Sequence, residues 1–418
     1  HRDLHKEYRR QRQMCIRDRD LQHVATLLSQ KIASCILESG SPMTFARFME
    51  MALYDPEYGY YLTGGNRSSL GGHASPIGTQ GGDFFTAPCV SPFLAQCVVR
   101  QLQEIDGLLG YPSEFTILEM GPGEGRFIKD LLDEIARCDS DFYSRLSVIL
   151  VEQSPYLRTL QEQALANLYE QTEVTWISDL KSLKDGSVLG VFLSNELVDA
   201  FPVHRVRMEK DGLKEIYVDY EAGSFVELLD DPSTDELAQF LKALDVELPV
   251  GFTTEINLNA LDWMQQVARV LYRGVVLTID YGHTSQDYFS PERKDGTLLC
   301  YYRHSVRTNP YERIGEQDMT AHVNFSSLAQ TGEHAGLGLT GFTNLMHFLM
   351  SLGIDEMVAD YDQGSDEVNS AIELLRPHGM DTVFKVLIQH KSLDVPTLQA
   401  LRHRPFFEHV LTPAGCGT

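Results

Sequence analysis

The order of apolar and polar positions after residue 110 alternates between short apolar runs and amphipathic segments. The apolar runs predict strands at "FTILEM" (115–120), "LSVILVE" (146–152), "EVTWIS" (173–178) and "LGVFLSN" (189–195). A fifth run, "RGVVLTIDYG" (273–282), follows an amphipathic helix predicted at 259–272. Repeated strand–helix units of this length predict an α/β fold with a parallel, doubly wound sheet. Right-handed crossovers then place ligands at the carboxyl ends of the strands.

The segment before the first strand has a helical pattern followed by a glycine-rich stretch. Apolar residues at helical spacing predict a helix over 21–40, which ends at a glycine. Thr44 is expected to cap a second helix, whose apolar face carries Phe45, Phe48, Met49, Ala52 and Leu53. The glycine-rich residues 64–82 are expected to form a flexible surface loop. Its end, "GGDFFTAP" (81–88), combines an acid, two aromatics and a hydroxyl and is expected to be ordered.

Residues between Val203 and Leu229 alternate about two turns, at Asp211-Gly212 and Ala222-Gly223, which predicts an antiparallel insertion. The sequence predicts six segments. They are a tail (1–20), an N-terminal helical and loop segment (21–110), a cofactor-binding core (111–202), an inserted β and helical region (203–258), the remainder of the core (259–392) and a C-terminal tail (393–418). The first segment is Arg-rich but also acidic, unlike a transit peptide, and it resembles a translated sequencing adaptor. We therefore expect a disordered or arbitrary tail, with the native protein starting near Leu21.

Composition narrows the class of partner. The net charge is −24 over 418 residues, which disfavours nucleic acid and favours a basic protein or peptide. No apolar run approaches the roughly 20 residues that a membrane span requires. The seven cysteines are scattered and include no C-x-x-C pair, a pattern typical of reduced thiols in a cytosol-like compartment.

The stretch "LEMGPGEGRF" (118–127) places Gly121, Gly123 and Gly125 between a predicted strand and a predicted helix. Glycine lets the backbone turn sharply and lets a ligand approach closely. A dinucleotide fingerprint would need a third glycine where Arg126 stands, and Glu119 has the wrong charge for a pyrophosphate. An acid at this strand end suits a ligand that carries an ammonium and a sulfonium, namely S-adenosylmethionine (SAM).

Two further acids follow the next strands. Glu152 ends the second strand, where a carboxylate can accept both ribose hydroxyls of a nucleoside. Asp179 follows the third strand and is expected at the height of the adenine. The alternative is that these acids cap the helices that come after them.

"LSNELVDAFPVH" (193–204) puts Asn195, Glu196 and Asp199 after the fourth strand, at the same predicted sheet edge. Methyl transfer is an in-line displacement that needs positioning and carboxylates that hold and deprotonate a nitrogen nucleophile. Glu196 and Asp199, three residues apart, can share one face of a turn and grip a guanidinium. We therefore interpret the three residues as an active-site wall, with helix capping as the alternative.

The chain resembles the MidA-like methyltransferases. The matching segments run in order along the chain: "DPEYGYY" (55–61), "GGDFFTAP" (81–88), "LEMGPGEGRF" (118–127), "VEQSPYLRTLQ" (151–161), "SNELVDAFPVH" (194–204), "TIDYG" (278–282), "GTLLCYYRH" (296–304), "DMTAHVNFSSL" (318–328) and "FKVLIQ" (384–389). The resemblance implies a class I SAM-dependent methyltransferase fold with an inserted substrate-side region. It also implies symmetric dimethylation of a protein arginine, linked to assembly of respiratory complex I, in the bacterial cytoplasm or the mitochondrial matrix.

Carried over by position, the resemblance implies that the cofactor is held by Gly121, Gly123, Glu152 and Asp179, with Asp83 and Thr86 closing over it. We predict that Asp280, Asp318 and His322 lie on the substrate side. Two departures from the family pattern are a long 64–82 loop and Asn324 where the family usually has Asp, which puts a charged role there in doubt.

The segment "DMTAHVNF" leaves more than one interpretation. Asp318 and His322 are four apart, and His283 and His304 lie in similar polar segments. No compact ligand cluster appears, so we expect no metal site. Two interpretations of this segment remain open: a hydrogen-bonded wall of the substrate pocket and a structural histidine.

For the whole chain, the alternatives to a protein methyltransferase are a non-catalytic SAM-binding assembly chaperone and a small-molecule methyltransferase.

Overall fold

A computed structural model describes residues 26–62, 91–168, 172–302, 305–362, 364–375 and 384–403. They divide into two compact units. The first contains the described residues before Pro76 together with Phe201–Leu258 and Pro291–Ala321, and the second contains those within Ile77–Ala200, Asn259–Ser290 and His322–Thr418. The predicted tail (1–20) and the glycine-rich loop (64–82) lie outside the described residues.

The helices of the described ranges, in chain order, are α1 (Leu27–Ser39), α2 (Phe45–Tyr54), α3 (Phe93–Leu109), α4 (Arg126–Cys138), α5 (Ser140–Ser144), α6 (Pro155–Leu165), α7 (Glu236–Ala243), α8 (Leu258–Val270), α9 (Ser285–Tyr288), α10 (Phe325–His334), α11 (Leu345–Ser351), α12 (Ile354–Val358) and α13 (Asp366–Leu375). In this part of the chain, none of them combines the length and the apolar character needed to cross a bilayer.

The strands of the same ranges are β1 (Met43–Thr44), β2 (Phe115–Met120), β3 (Leu146–Val151), β4 (Glu173–Ile177), β5 (Val188–Asn195), β6 (His204–Glu209), β7 (Gly212–Glu221), β8 (Ser224–Asp230), β9 (Thr253–Ile256), β10 (Leu271–His283), β11 (Leu299–Tyr302), β12 (Ser305–Arg307), β13 (Asp318–Thr320), β14 (Val323–Asn324), β15 (Gly338–Asn344) and β16 (Phe384–Lys391).

The second unit is built on an eight-stranded sheet in the order β15-β16-β10-β5-β2-β3-β4, with β14 added to the end of β10. The five strands predicted from the apolar runs are confirmed, and they pair in parallel from β10 to β4. Strand β16 runs antiparallel to both of its neighbours, β10 and β15, which the pattern did not indicate. The predicted class I methyltransferase fold, a mixed α/β sheet of this kind, is confirmed.

Both faces of this sheet are covered, as its apolar strands require. Every residue of β2 except Met120 is buried, and β5 is buried at six of its eight positions. Helices α3 and α4 supply apolar side chains to one core together with α11 and the strands. Burial on both faces explains why these strands read as continuous apolar runs rather than alternating ones.

The first unit contains a five-stranded antiparallel sheet, in which β7 pairs with β8 on one side and with β6 and β1 on the other. The predicted antiparallel insertion is confirmed. The turn at Ala222-Gly223 is as predicted, with φ of 49° and 85° at its two central residues. The other two-residue turn is formed by Lys210 and Asp211, one position earlier than predicted, because Glu209 pairs with Gly212.

Helices α1 and α2 also belong to the first unit, and both predicted helices are confirmed over their described parts. The hydroxyl of Thr44 accepts a hydrogen bond from the backbone N–H of Arg47 (3.2 Å), so Thr44 caps α2 as predicted. The apolar face of α2 packs into an aromatic cluster in which the Phe48 ring lies 5.2 Å from Tyr311 and 5.9 Å from Phe225.

Candidate active site

The parallel strands of the second unit end at one edge of their sheet, and the predicted polar residues lie along that edge. Strand register places Met120 beside Val151 and Val151 beside Ile177. On the other side of β2, Asn195 of β5 pairs with Ile279 of β10. The strand ends are therefore aligned, and residues that directly follow them are close neighbours along the edge.

The glycine turn between β2 and α4 needs its glycines. Gly121, Gly123 and Gly125 all have positive φ, at 70°, 56° and 81°, a region that strains any residue with a Cβ. A Cβ on Gly121 would lie 2.8 Å from a methyl group of Leu197, and one on Gly125 would lie 3.2 Å from the Cα of Gln161. The α4 N-terminus has no side-chain cap in the described chain, so its N–H groups face the turn without a carboxylate or hydroxyl partner.

Glu119 is a buried carboxyl group with an unused oxygen. Its side chain is 2% exposed, and its Oε2 has no hydrogen-bond partner within the described residues. Burial raises the pKa of Glu119 to about 8, because the charged form loses its hydration. A cationic group beside this carboxyl would restore the ionised form, and this is the property expected of a pocket for a cationic ligand.

Glu152 follows β3 and is held by two donors. Its Oε1 accepts from the backbone N–H of Ser154 (2.7 Å), and its Oε2 accepts from the side-chain amide of Gln161 (3.0 Å). Burial raises the pKa of Glu152, and these hydrogen bonds oppose that rise. Ser154, rather than Glu152, caps α6 through the N–H of Leu157. The helix-cap alternative is therefore wrong for Glu152.

Asp179 behaves differently. It is exposed, and its Oδ1 accepts from the N–H of Lys181 (2.8 Å), which caps the short 3-10 turn Leu180–Ser182. The capping alternative therefore applies at this position. A role near an adenine stays a prediction.

The chain after β5 forms a strained turn rather than a helix. Glu196 has φ of +50°, unusual for a residue with a side chain, and its N–H donates to the carbonyl of Ile279 (2.9 Å). The side-chain amide of Asn195 donates to a carboxylate oxygen of Glu196 (3.1 Å). Asp199 is buried. Because the described chain contains no helix between β5 and β6, helix capping is wrong for these acids. Backbone strain of this kind is typical of functional turns.

Asp280 supports that turn from β10. The residue is fully buried, and its Oδ2 accepts from the N–H groups of Leu197 (3.2 Å), Val198 (2.8 Å) and Asp199 (3.4 Å). Its Oδ1 accepts from Tyr281 (2.8 Å). Burial raises the pKa of Asp280 to about 7, while these donors lower it. Both carboxylate oxygens accept from backbone N–H groups, so Asp280 positions the turn. A role on the substrate side stays a prediction.

The other predicted substrate-side residues, Asp318 and His322, belong to different units. Asp318 is buried in the first unit and accepts from the Tyr61 hydroxyl (2.7 Å). His322 belongs to the second unit, where its Nδ1 lies 2.9 Å from Nε2 of His283. Across the described ranges, no three His, Cys, Asp or Glu side chains are grouped as metal ligands would be. His304, Asp83 and Thr86 lie outside the described residues.

Asn324, the departure from the family pattern, caps α10. Its Oδ1 accepts from the N–H of Ser327 (3.1 Å) and from the hydroxyl of Ser285 (3.0 Å). Asn and Asp serve about equally at such a position, so the amide does not disturb the helix start.

Comparison with known proteins identifies the family. Residues 93–343, more than half of the chain, match a family described as "Putative S-adenosyl-L-methionine-dependent methyltransferase". The chain belongs to this family. The match spans the glycine turn, the acidic turn after β5 and most of the sheet of the second unit.

The methyltransferase is similar to curated proteins named protein arginine methyltransferase NDUFAF7. The Drosophila melanogaster homolog, a mitochondrial protein, is 27% identical over 74% of this chain and 70% of its own length. The human protein, also mitochondrial, is 25% identical over 82% of this chain and 77% of its own.

A solved structure supports the fold and the cofactor. A COG1565 superfamily member from Burkholderia thailandensis, with S-adenosyl-homocysteine bound, is 29% identical and has a TM-score of 0.79. The similarity covers 93% of this chain and 97% of that one. The chain is therefore a SAM-dependent methyltransferase. Its own residues fit that cofactor, because the buried Glu119 has a carboxyl oxygen without a hydrogen-bond partner within the described residues, which can face a cation, and the three glycines put no side chains on the turn.

Proposed function

We propose that this methyltransferase modifies an arginine side chain of a partner protein. The observation that carries the proposal is the strained acidic turn after β5, where Glu196 and Asp199 follow a strand end at the cofactor edge of the sheet. The curated relatives named as protein arginine methyltransferases support the same assignment. The net charge of −24 would also steer a basic segment towards the protein.

The cofactor side of the proposal uses residues at the other strand ends. When bound, SAM supplies an electrophilic methyl group on a sulfonium. The Glu119 carboxylate would balance the positive charge of the ligand, and Gly121, Gly123 and Gly125 would allow the backbone to approach it. The Glu152 carboxylate would accept from the ribose hydroxyls. Asp179, Asp83 and Thr86 stay predicted contacts of the cofactor.

The substrate side follows from the chemistry of the guanidinium. An arginine is protonated at every physiological pH, so a nitrogen of the group must lose a proton as its bond to the methyl carbon forms. Two carboxylates can hold the planar group through paired hydrogen bonds, and one of them can accept the proton. We assign these tasks to Glu196 and Asp199. Asn195, which donates to Glu196, would orient that carboxylate.

The finer assignments come from the family resemblance. We propose symmetric dimethylation, with an exposed arginine of a respiratory complex I subunit as the substrate. The compartment would be the bacterial cytoplasm or, in a eukaryote, the mitochondrial matrix. The named relatives are mitochondrial proteins, which supports the second alternative.

The test uses purified protein, SAM labelled in the methyl group and host lysate. Label should enter one protein band and be recovered as methyl-arginine after acid hydrolysis. Glu196→Gln and Asp199→Asn should lower turnover by about 100-fold or more while SAM binding stays near that of the wild type. Glu333→Gln, which changes an exposed acid on α10, is the matched control.

Three results would contradict the proposal. Label in methyl-lysine or in a filterable small molecule would point to another substrate. SAM binding without any transfer would favour an assembly chaperone. Full turnover by Glu196→Gln would remove that residue from the chemistry.

A further inference from the structure

Gln161 lies on helix α6, yet its side chain connects three segments at the sheet edge where the parallel strands end. Its side-chain nitrogen donates to the carbonyl of Gly123 (2.7 Å) and to Oε2 of Glu152 (3.0 Å). Its side-chain oxygen accepts from the indole N–H of Trp176 on β4 (3.0 Å). The residue is 0% exposed. One buried amide therefore joins the turn after β2, the end of β3 and strand β4.

The partners determine which way the amide points. An indole N–H can only donate, so the oxygen of Gln161 must face Trp176. The two amide hydrogens are then directed at the carbonyl of Gly123 and the carboxylate of Glu152, which can only accept. Every polar atom of the side chain has a complementary partner. A glutamate here would set a second carboxylate against Glu152, and an aliphatic residue would leave buried polar groups without partners.

The backbone of α6 also limits the glycine turn. A Cβ on Gly125 would lie 3.1 Å from the Cγ and 3.2 Å from the Cα of Gln161. The same residue therefore packs against the end of the turn and bonds to its middle. Movement of Gln161 would change both the path of the turn and the direction of the Glu152 carboxylate.

We infer that Gln161 is a positioning residue for the SAM site, which sets the glycine turn and the Glu152 carboxylate in the geometry that binds the nucleoside. The inference rests on the proposed role of Glu152 at the ribose. The amide donates to the ionised form of Glu152 and so lowers the pKa of that carboxyl, against the effect of burial. Without Gln161, the pKa of Glu152 should rise further.

The test compares Gln161→Met, which preserves length and shape, with Gln163→Leu, a change at an exposed glutamine two residues along the same helix. Calorimetric titration with S-adenosyl-homocysteine should show binding weakened about 10-fold or more in Gln161→Met and unchanged in Gln163→Leu. In Gln161→Met, binding should be lost at a higher pH than in the wild type as pH falls, because the pKa of Glu152 is higher without the amide donor. KM for SAM should rise, with little change in kcat at saturation.

Tryptophan fluorescence gives a readout that does not require turnover. The chain has two tryptophans, so Trp263→Phe leaves Trp176 as the reporter. In that background, Gln161→Met should alter the ligand-free emission of Trp176, because the indole N–H loses its acceptor. The fluorescence melting curve of the same protein shows whether the variant is folded.

A double-mutant cycle separates positioning from general stability. In a Glu152→Gln background, Gln161→Met should weaken binding less than it does in the wild type, because part of its effect acts through Glu152. Unchanged binding by folded Gln161→Met would overturn the inference, and so would strictly additive losses. A Glu152→Gln variant that binds normally would instead overturn the ribose role. Failure of arginine methylation would leave these binding results unaffected.

Discussion

The buried carboxyl group of Glu119 should make the ligand-free protein less stable as pH rises. The ordinary pKa of a glutamate is 4.5, and burial raises that of Glu119 to about 8. Between these two values the unfolded chain has released a proton that the folded chain retains. Stability therefore falls as pH rises from about 4.5 to about 8, and it falls no further above that range.

The size of the effect follows from 1.36 kcal/mol per pKa unit. The free energy of unfolding should be lower by about 3 kcal/mol at pH 7 and by about 5 kcal/mol above pH 8, relative to a side chain that does not titrate. Glu119→Gln introduces such a side chain, with nearly the same shape. The free energy of unfolding of this variant should equal that of the wild type near pH 4.5 and exceed it as pH rises.

Urea unfolding at pH 5, 7 and 8.5, followed by tryptophan fluorescence, measures this difference. Trp176 and Trp263 both lie in the second unit, so the signal reports the unit that contains Glu119. The exposed substitution Glu333→Gln should leave the pH dependence unchanged. A Glu119→Gln variant that shows no gain over the wild type between pH 5 and 8.5 would refute the argument. Conversely, SAM binding at pH 7 should release close to one proton in the wild type and none in the variant, as calorimetry in two buffers would show.

Two further predictions concern the turns at the same sheet edge. Asp280→Ala removes the acceptor of the N–H groups at Leu197, Val198 and Asp199, so it should destabilise the second unit by about 3–5 kcal/mol in the same urea assay; a loss under about 1 kcal/mol would contradict the supporting role. Gly125→Ala adds a crowded Cβ at φ of +81°, whereas Gly110→Ala adds one at φ of +83° with no atom within 4 Å. Both should cost about 1–2 kcal/mol of strain, but only Gly125→Ala should weaken SAM binding, and equal binding by the two variants would count against the glycine turn.

Much of the site could be located from the sequence because its elements are local. The glycine spacing after "FTILEM" and the acids after successive apolar runs depend only on strand ends, which the run lengths mark within a residue or two. Parallel strands then bring those ends to one edge whatever their separation in the chain. The family resemblance added the order of segments, and the family match agrees with it.

The roles of individual polar residues were harder to predict. The sequence pattern does not indicate that the Asp280 carboxylate accepts from backbone N–H groups about 80 residues earlier in the chain. The sequence pattern does not single out Gln161, because glutamine is ordinary on an exposed helix face and its burial depends on the packing of α6 against the glycine turn. No local pattern encodes either contact.

The sequence by itself determined the strand order along the chain, the parallel core, the glycine turn and the hairpin at Ala222-Gly223. These features follow from side-chain periodicity and backbone sterics, which act over a few residues. Only the tertiary structure decided that β16 runs antiparallel to β10, that the described segment between β5 and β6 contains no helix and that Glu119 is buried. Each of these depends on which distant segment packs beside the residue, since burial and hydrogen-bond partners are properties of the assembled sheet rather than of any stretch of chain.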